Sequence, residues 1–402
     1  MSSLQEEYFA CLALRYTPGL GPKSWSPILR HYSTAYEGLK DAANWHSLSL
    51  ASEKSATAAI KELWRTKAEQ EYREAIRLGF GILPWTHPLF PRLLKELPDP
   101  PTCLYYFGDP ELLGNPAVGV VGSRKSGALG QEYAARIAAD LSKSGITIVS
   151  GFAKGIDSCA HEAALQGIGS TIAVLGAGLD VESYPPDSAW LRKSVIESGL
   201  IISEFPPGTK PFARNFPFRN RLISGLSTGV LVVEAEIASG SLVTARLAGE
   251  QGREVMAMPG PIGNSSFAGC LKLIKEGAAL VETADDVIMN IGHALDLSTQ
   301  GKTVEIERRF PAEKKVLKSK PIAQVPVQQE VESAVLTFDI DALEPPESDV
   351  AKSLESGGRM HIDEIARAAG IDVSIAGAVI LGMEVKGMVV RFPGMYYDLK
   401  RC

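Results

Sequence analysis

Between Val118 and Val281 short apolar runs alternate with segments of helical length: VGVVG, ITIVSG, TIAVLG, LIISE, GVLVVEA, EVMAMPG and AALV. Each run is β-branched and closes on a glycine or an acidic turn residue. Runs that are apolar throughout, rather than alternating with polar positions, mark strands buried on both faces, so the rhythm predicts parallel βαβ units. The stretch from Leu129 to Ser144 places Tyr133, Ile137 and Leu141 on one stripe, the spacing of a helix packed on a sheet. The expected fold is α/β: a Rossmann-like, doubly wound, mainly parallel sheet. Ligands of such sheets bind beyond the carboxyl ends of the strands. Gly122-Ser123-Arg124, Ser150-Gly151 and Gly176-Ala177-Gly178 are expected there.

The flanks follow other periods. Residues 1–80 read as a small all-α N-terminal domain, interrupted by Thr17-Pro18-Gly19-Leu20-Gly21-Pro22-Lys23 ahead of an apolar helix with Trp25, Ile28, Leu29 and Tyr32. That turn fits a helix-hairpin-helix phosphate clasp and an ordinary Gly-Pro connection equally well. Residues 81–295 form the expected core. Residues 296–350 carry Pro311, Pro321, Pro326, Pro345 and Pro346, with seven basic and eleven acidic residues and no sustained period, the composition of a flexible acidic linker. Residues 351–402 read as helix, turn, helix and two-stranded wing, a winged-helix domain in which Ile362, Ile365, Ala366, Val379, Leu381 and Met383 supply the apolar packing. Its second helix has no Lys or Arg before Lys386, so contact with a protein is at least as well supported as duplex reading.

Composition narrows the class. With 402 residues, 45% hydrophobic and 22% charged, disorder over the whole length is excluded and a sizeable core is expected. No apolar run approaches the roughly 20 residues that cross a bilayer, and the acidic N-terminus lacks a signal pattern, so a cytoplasmic location is expected. Cys11, Cys103, Cys159, Cys270 and Cys402 are scattered and never spaced as CxxC, which indicates neither a disulfide framework nor a zinc site. No cofactor or metal is expected. The net charge of −6 would argue against a polyanionic partner, but net charge can hide a local patch.

Such a patch is legible. From Phe205 to Val233 the chain holds Lys210, Arg214, Arg219 and Arg221 without an Asp or Glu, interleaved with Phe205, Phe212, Phe216 and Phe218. Cations for phosphates and flat rings for unstacked bases, read here as one loop, are what single-stranded nucleic acid requires. Gly122-Ser123-Arg124-Lys125-Ser126-Gly127 lies between a strand and a helix, where free amides and the positive helix end would face an anion and Arg124 would fork onto a phosphate. Ser150-Gly151-Phe152-Ala153-Lys154-Gly155-Ile156-Asp157 opens the next helix in the same way, with His161 four residues after Asp157. That Asp-His pair reads as a cap with a hydrogen-bonded histidine rather than as an acid-base pair. Ser239-Gly240-Ser241 and Thr244 add hydroxyls, and Glu234 ends a strand. The dinucleotide, P-loop and nucleophile-elbow fingerprints are all missing, so catalysis is not expected.

The strings VGSRKSGALG, SGFAKGIDSCAH, TIAVLGAGLDVESYP, ISEFPPG, FPFRNRLISGLS, VVEAEIASGSLVTARLA, GREVMAMPGPI and LIKEGA together resemble the DNA-processing protein A family (DprA/Smf). The match runs in order over residues 85–290, and the helical N-terminal flank, similar to a sterile-alpha-motif unit, fits as well. The resemblance implies a non-catalytic homodimer that binds single-stranded DNA, protects incoming DNA and loads the RecA recombinase onto it in natural transformation and recombination. Single-strand-binding protein would be a further partner. The implied contacts are Arg124, Lys154, Lys210, Phe212 or Phe216, Arg219, Asn220 and Arg221, to which the residue reading adds Gly122, Ser123, Ser239, Gly240 and Ser241. The alternative is a nucleotide-processing enzyme of the lysine-decarboxylase-like Rossmann type acting through Glu234. Against it, the PGGxGTxxE signature is missing and SGSLVT stands in a comparable place.

Overall fold

All seven apolar runs are strands in the computed structural model, which describes residues 3–181, 188–299, 340, 343, 345–386, 388–392 and 396–399. The chain divides into two units, Met1–Glu307 and Arg308–Cys402. The first begins with α1 (Ser3–Tyr16), α2 (Pro22–His31), α3 (Ala35–Lys40), α4 (Glu53–Ile60) and α5 (Arg65–Arg77), then β1 (Gly81–Pro84), α6 (Arg92–Lys95) and β2 (Cys103–Gly108). The βαβ series follows: β3 (Ala117–Val121), α7 (Ala128–Lys143), β4 (Thr147–Ser150), α8 (Ile156–Ala164), β5 (Thr171–Val174), α9 (Ala189–Ser198) and β6 (Leu200–Ser203). It ends with α10 (Asn215–Leu226), β7 (Gly229–Val232), α11 (Gly240–Glu250), β8 (Glu254–Ala257), α12 (Ala268–Lys275), β9 (Ala279–Leu280) and α13 (Ala284–Thr299).

The sheet order is β1-β2-β6-β5-β4-β3-β7-β8-β9, parallel from β6 to β9, with β2 antiparallel to β6 and β1 antiparallel to β2. Winding runs one way from β3 to β6 and the other way from β7 to β9, so the switch point lies between β3 and β7. Alternate residues of β3 serve opposite faces: Val118 and Val120 pack with Ile137 and Leu141 of α7, whereas Ala117 and Val121 join the core on the other face with Leu222 and Ile223 of α10. That two-sided burial is why the runs carry few polar positions, and Thr147, Ser150, Thr171 and Ser203 among them are buried.

The helices of residues 1–80 share the core of the second face with the sheet, so no core ends at residue 80. The Tyr8 hydroxyl lies 2.9 Å from that of Tyr105 on β2. The buried Glu71 carboxylate accepts from Arg15, Tyr16 and Tyr105. The Thr17–Lys23 turn connects α1 to α2, and Trp25 on α2 donates its indole N–H to the Pro100 carbonyl at 2.8 Å. Cys11, Cys103 and Cys270 are buried free thiols.

Most of the stretch read as a linker, residues 296–350, lies outside the described residues. Its two ends differ from that reading. Residues 296–299 complete α13, and α14 (Glu347–Gly357) of the second unit starts before residue 351. Glu347 and Asp349 fall in the first turn of α14, where acidic groups suit the helix dipole. Val350, Ala351 and Leu354 fill the core of that unit. The unit continues with β10 (Met360–His361), α15 (Ile362–Ala369), α16 (Val373–Val385), β11 (Val389–Phe392) and β12 (Tyr396–Leu399), the strands ordered β10-β12-β11. A His361–Glu364 capping box starts α15, and Ile362, Ile365, Ala366, Ile380 and Met383 are buried. Leu381 departs from the expected packing and is 61% exposed on α16.

Candidate nucleic-acid interface

Beyond the carboxyl ends of β3 and β7 opens a cavity of about 680 Å³. Its walls are the 122–125 loop, the first turns of α10 and the start of α11, so Gly122, Ser123, Arg124, Phe216, Arg219, Asn220, Ser239, Gly240 and Ser241 line one space. Lys154, Lys210 and Phe212 are exposed and stand outside the lining. Lys125 and Pro211, which the sequence reading did not nominate, line it too.

The segment FPFRNR lies in a helix, not the loop expected from its composition. Residues on a helix advance 100° each, so Arg219 and Arg221 point to opposite sides. Arg219 is 3% exposed and forms the cavity floor, donating to the Val174 carbonyl at the end of β5 at 2.5 Å. Burial pushes its guanidinium down to about 10, with Asp157 opposing that shift. Arg221 corrects the expectation of a phosphate contact. It is buried on the far side, paired with Glu204 at 2.5 Å and Asp99 at 3.3 Å, with its guanidinium 4.2 Å over the Phe218 ring. Phe205 and Phe218, both half-buried, pack edge to face at 6.1 Å, with Phe218 against Arg221, so these two rings of the interleaved pattern stand apart from the crevice.

Phe216 belongs to the open side. The Arg124 guanidinium lies 5.1 Å and that of Arg219 6.0 Å from its ring centroid, both within cation–π range. Asn215 anchors the preceding loop by donating to the Gly176 carbonyl at 3.0 Å and the Lys210 carbonyl at 3.2 Å. Phe212 is 50% exposed with Arg214 5.2 Å over its ring.

The two expected anion cradles are already filled from within. Gly127 N–H, at the start of α7, donates to both carboxylate oxygens of Glu234 at 3.1 Å. Gly151 and Ala153 N–H, before α8, donate to Asp157 Oδ2 at 3.1 and 3.3 Å. The expectation that these amides face a bound anion is therefore corrected at Gly127, Gly151 and Ala153, and so is the reading of Asp157 as a cap, because Gly155 is the N-cap of α8 and Asp157 sits in its first turn, bonding back to the loop. His161 Nδ1 meets the Thr171 hydroxyl at 2.6 Å. Burial first, and then the Arg219 charge, drive its imidazole down to about 3. Ser239 caps α11, its hydroxyl 2.7 Å from that of Ser241. The two loops touch at Gly155, whose φ of +80° and ideal Cβ position 2.3 Å from the Ser123 carbonyl oxygen leave room only for glycine. Glu234, 1% exposed, does not line the cavity and offers no carboxylate to a substrate there. No group of side chains among the described residues could hold a metal ion, and no described helix is long and apolar enough to cross a membrane.

Residues 81–292 match the model of the family described as DNA recombination-mediator protein A. The chain belongs to that family. Residues 337–395 also match the model of the DprA winged helix domain. It is similar to protein Smf of Synechocystis, 37% identical over 317 residues that cover 77% of this chain and 78% of that one. Protein Smf of Escherichia coli is 38% identical over 324 residues, 80% of this chain and 78% of the relative. The X-ray structure of DNA processing protein A from Streptococcus pneumoniae superposes with a TM-score of 0.59 at 32% identity, covering 70% of this chain and 97% of that one.

Proposed function

We propose that the crevice binds single-stranded DNA without sequence preference. Acting as a homodimer in the cytoplasm, without catalysing a reaction, the protein protects incoming DNA and loads the RecA recombinase onto it in natural transformation and recombination, against the competing single-strand-binding protein. The observation that carries the DNA reading is the Phe216 ring beside the Arg124 and Arg219 guanidiniums at the edge of an open cavity. A flat ring for an unstacked base, flanked by cations for the neighbouring phosphates, suits a flexible strand and not a stacked duplex. The recombinase, single-strand-binding protein and dimer parts of the proposal draw their support from family membership alone. Lys154 and Lys210, exposed beside the cavity, extend the cationic track.

Fluorescence anisotropy of a labelled poly-dT strand, set against a duplex of the same length at two salt concentrations, tests this reading. The expected result is single-strand preference with a salt slope of about −0.7 per phosphate contact. Arg124→Ala should weaken binding roughly tenfold, about 1.4 kcal/mol, for all sequences alike and flatten the slope. Absence of single-strand binding, or an Arg124→Ala variant equal to the wild type across salt, would overturn it.

A further inference from the structure

The crevice lies at the switch point between β3 and β7, where doubly wound sheets hold nucleotide phosphates against a helix N-terminus. Here a side chain of the protein occupies that position. Glu234 follows β7 and reaches across to α7, where both of its oxygens accept from Gly127 N–H at 3.1 Å. The first turn of α7 is shaped around this carboxylate, since a Cβ on Gly130 would stand 1.9 Å from Glu234 Oε2. One strand away Asp157 repeats the device, taking the Gly151 and Ala153 amides of the loop that opens α8. The two acidic residues are 1% and 7% exposed.

We infer that Glu234 is a specificity residue that closes the N-terminus of α7 to phosphate, with Asp157 holding the loop amides ahead of α8 in the same way. The crevice then takes the internal phosphodiesters of a continuous strand through its side chains and rejects the dianionic terminal phosphates of nucleotides and strand ends. This rests on the strand-binding reading above. A phosphate seeking the α7 amide meets a carboxylate already bonded to it, and the repulsion doubles for a dianion relative to a singly charged phosphodiester. Arg124, exposed on the loop above α7, meets phosphodiesters without displacing that carboxylate. Affinity then grows with the number of phosphates along the strand and not with the charge of any one of them.

Thermal unfolding with sodium pyrophosphate, on the wild type and Glu234→Ala, is the first test. The wild-type midpoint should not move, whereas Glu234→Ala, with its cradle opened, should gain about 2–4 °C at a concentration well above the dissociation constant. A wild-type shift as large as that of the variant, or a folded variant that does not respond, would overturn the inference. The second test needs no variant and so survives a misfolded Glu234→Ala. Wild-type affinity for a 5′-phosphorylated poly-dT strand should equal that for the 5′-hydroxyl strand within about twofold, and a tenfold preference for the phosphorylated end refutes the closure. If the wild type binds neither strand, the strand-binding reading fails on its own, and the pyrophosphate comparison still decides whether Glu234 closes the cradle.

Discussion

Arg219 and Arg221 stand two positions apart on α10, yet one floors the crevice and the other neutralises Glu204 in the interior. Substitutions should separate the two faces. Phe216→Ala is expected to cost strand binding about 1–3 kcal/mol, the worth of one base–ring stack, with little change in the melting midpoint. Arg221→Ala should do the reverse. It leaves Glu204 uncompensated in the interior, a loss of about 3–5 kcal/mol of stability readable by urea unfolding, while the folded fraction still binds the strand. His161 makes a pH prediction. Its folded-state value is about 3 against an ordinary 6.5, so between these the unfolded chain holds a proton that the folded chain refuses. Stability is thus lost as pH falls from about 6.5 toward 3, by up to about 1.4 kcal/mol per pH unit from this group. His161→Gln should flatten that part of the pH–stability curve, and identical acid limbs in the two proteins would contradict it.

Elements were legible to different degrees, for identifiable reasons. The parallel strands announce themselves because burial on both faces removes most polar positions, as in Val118–Val121. The antiparallel strands β1 and β2 give a weaker signal, because Pro84 ends one and Pro100 and Pro101 stand just ahead of the other. Helix α10 reads as a loop because two Phe and two Arg crowd into FPFRNR around a proline, and they look like a loop of ligands until the 100° step assigns the side chains to opposite faces. Loop contact is an element-scale property too. Gly155→Ala should destabilise the protein by more than 1 kcal/mol, because its left-handed backbone disfavours a side chain and the Ser123 carbonyl blocks a Cβ. Since the same contact positions the Arg124 loop, strand affinity of the folded variant should fall as well, which anisotropy measures.

Across the whole molecule, the first unit should unfold as one cooperative body, because Tyr8, Arg15 and Glu71 of the N-terminal helices complete the cover of β2. A chain starting at residue 81 should be insoluble or should bind hydrophobic dyes, since Cys103, Leu104 and Tyr105 lose that cover. A truncation after Glu307, the boundary between the units, should instead fold and keep single-strand binding. Any duplex binding lost with it would assign that activity to the winged helix. The apolar exposed side chains of α16, Val373, Ile375 and Leu381, fit a protein-facing role better.

Sequence alone determined the α/β class, the parallel strands, the winged helix and part of the set of residues that gather at the crevice, because hydrophobic period and local turn chemistry are written in neighbouring positions. Only the tertiary structure decided which of those residues face a ligand. Arg221 turned inward and Arg124 outward according to the faces of elements whose partners lie far away in the chain. The occupied cradle at α7 depends on Glu234 crossing to Gly127, a contact distant in sequence that no local pattern encodes.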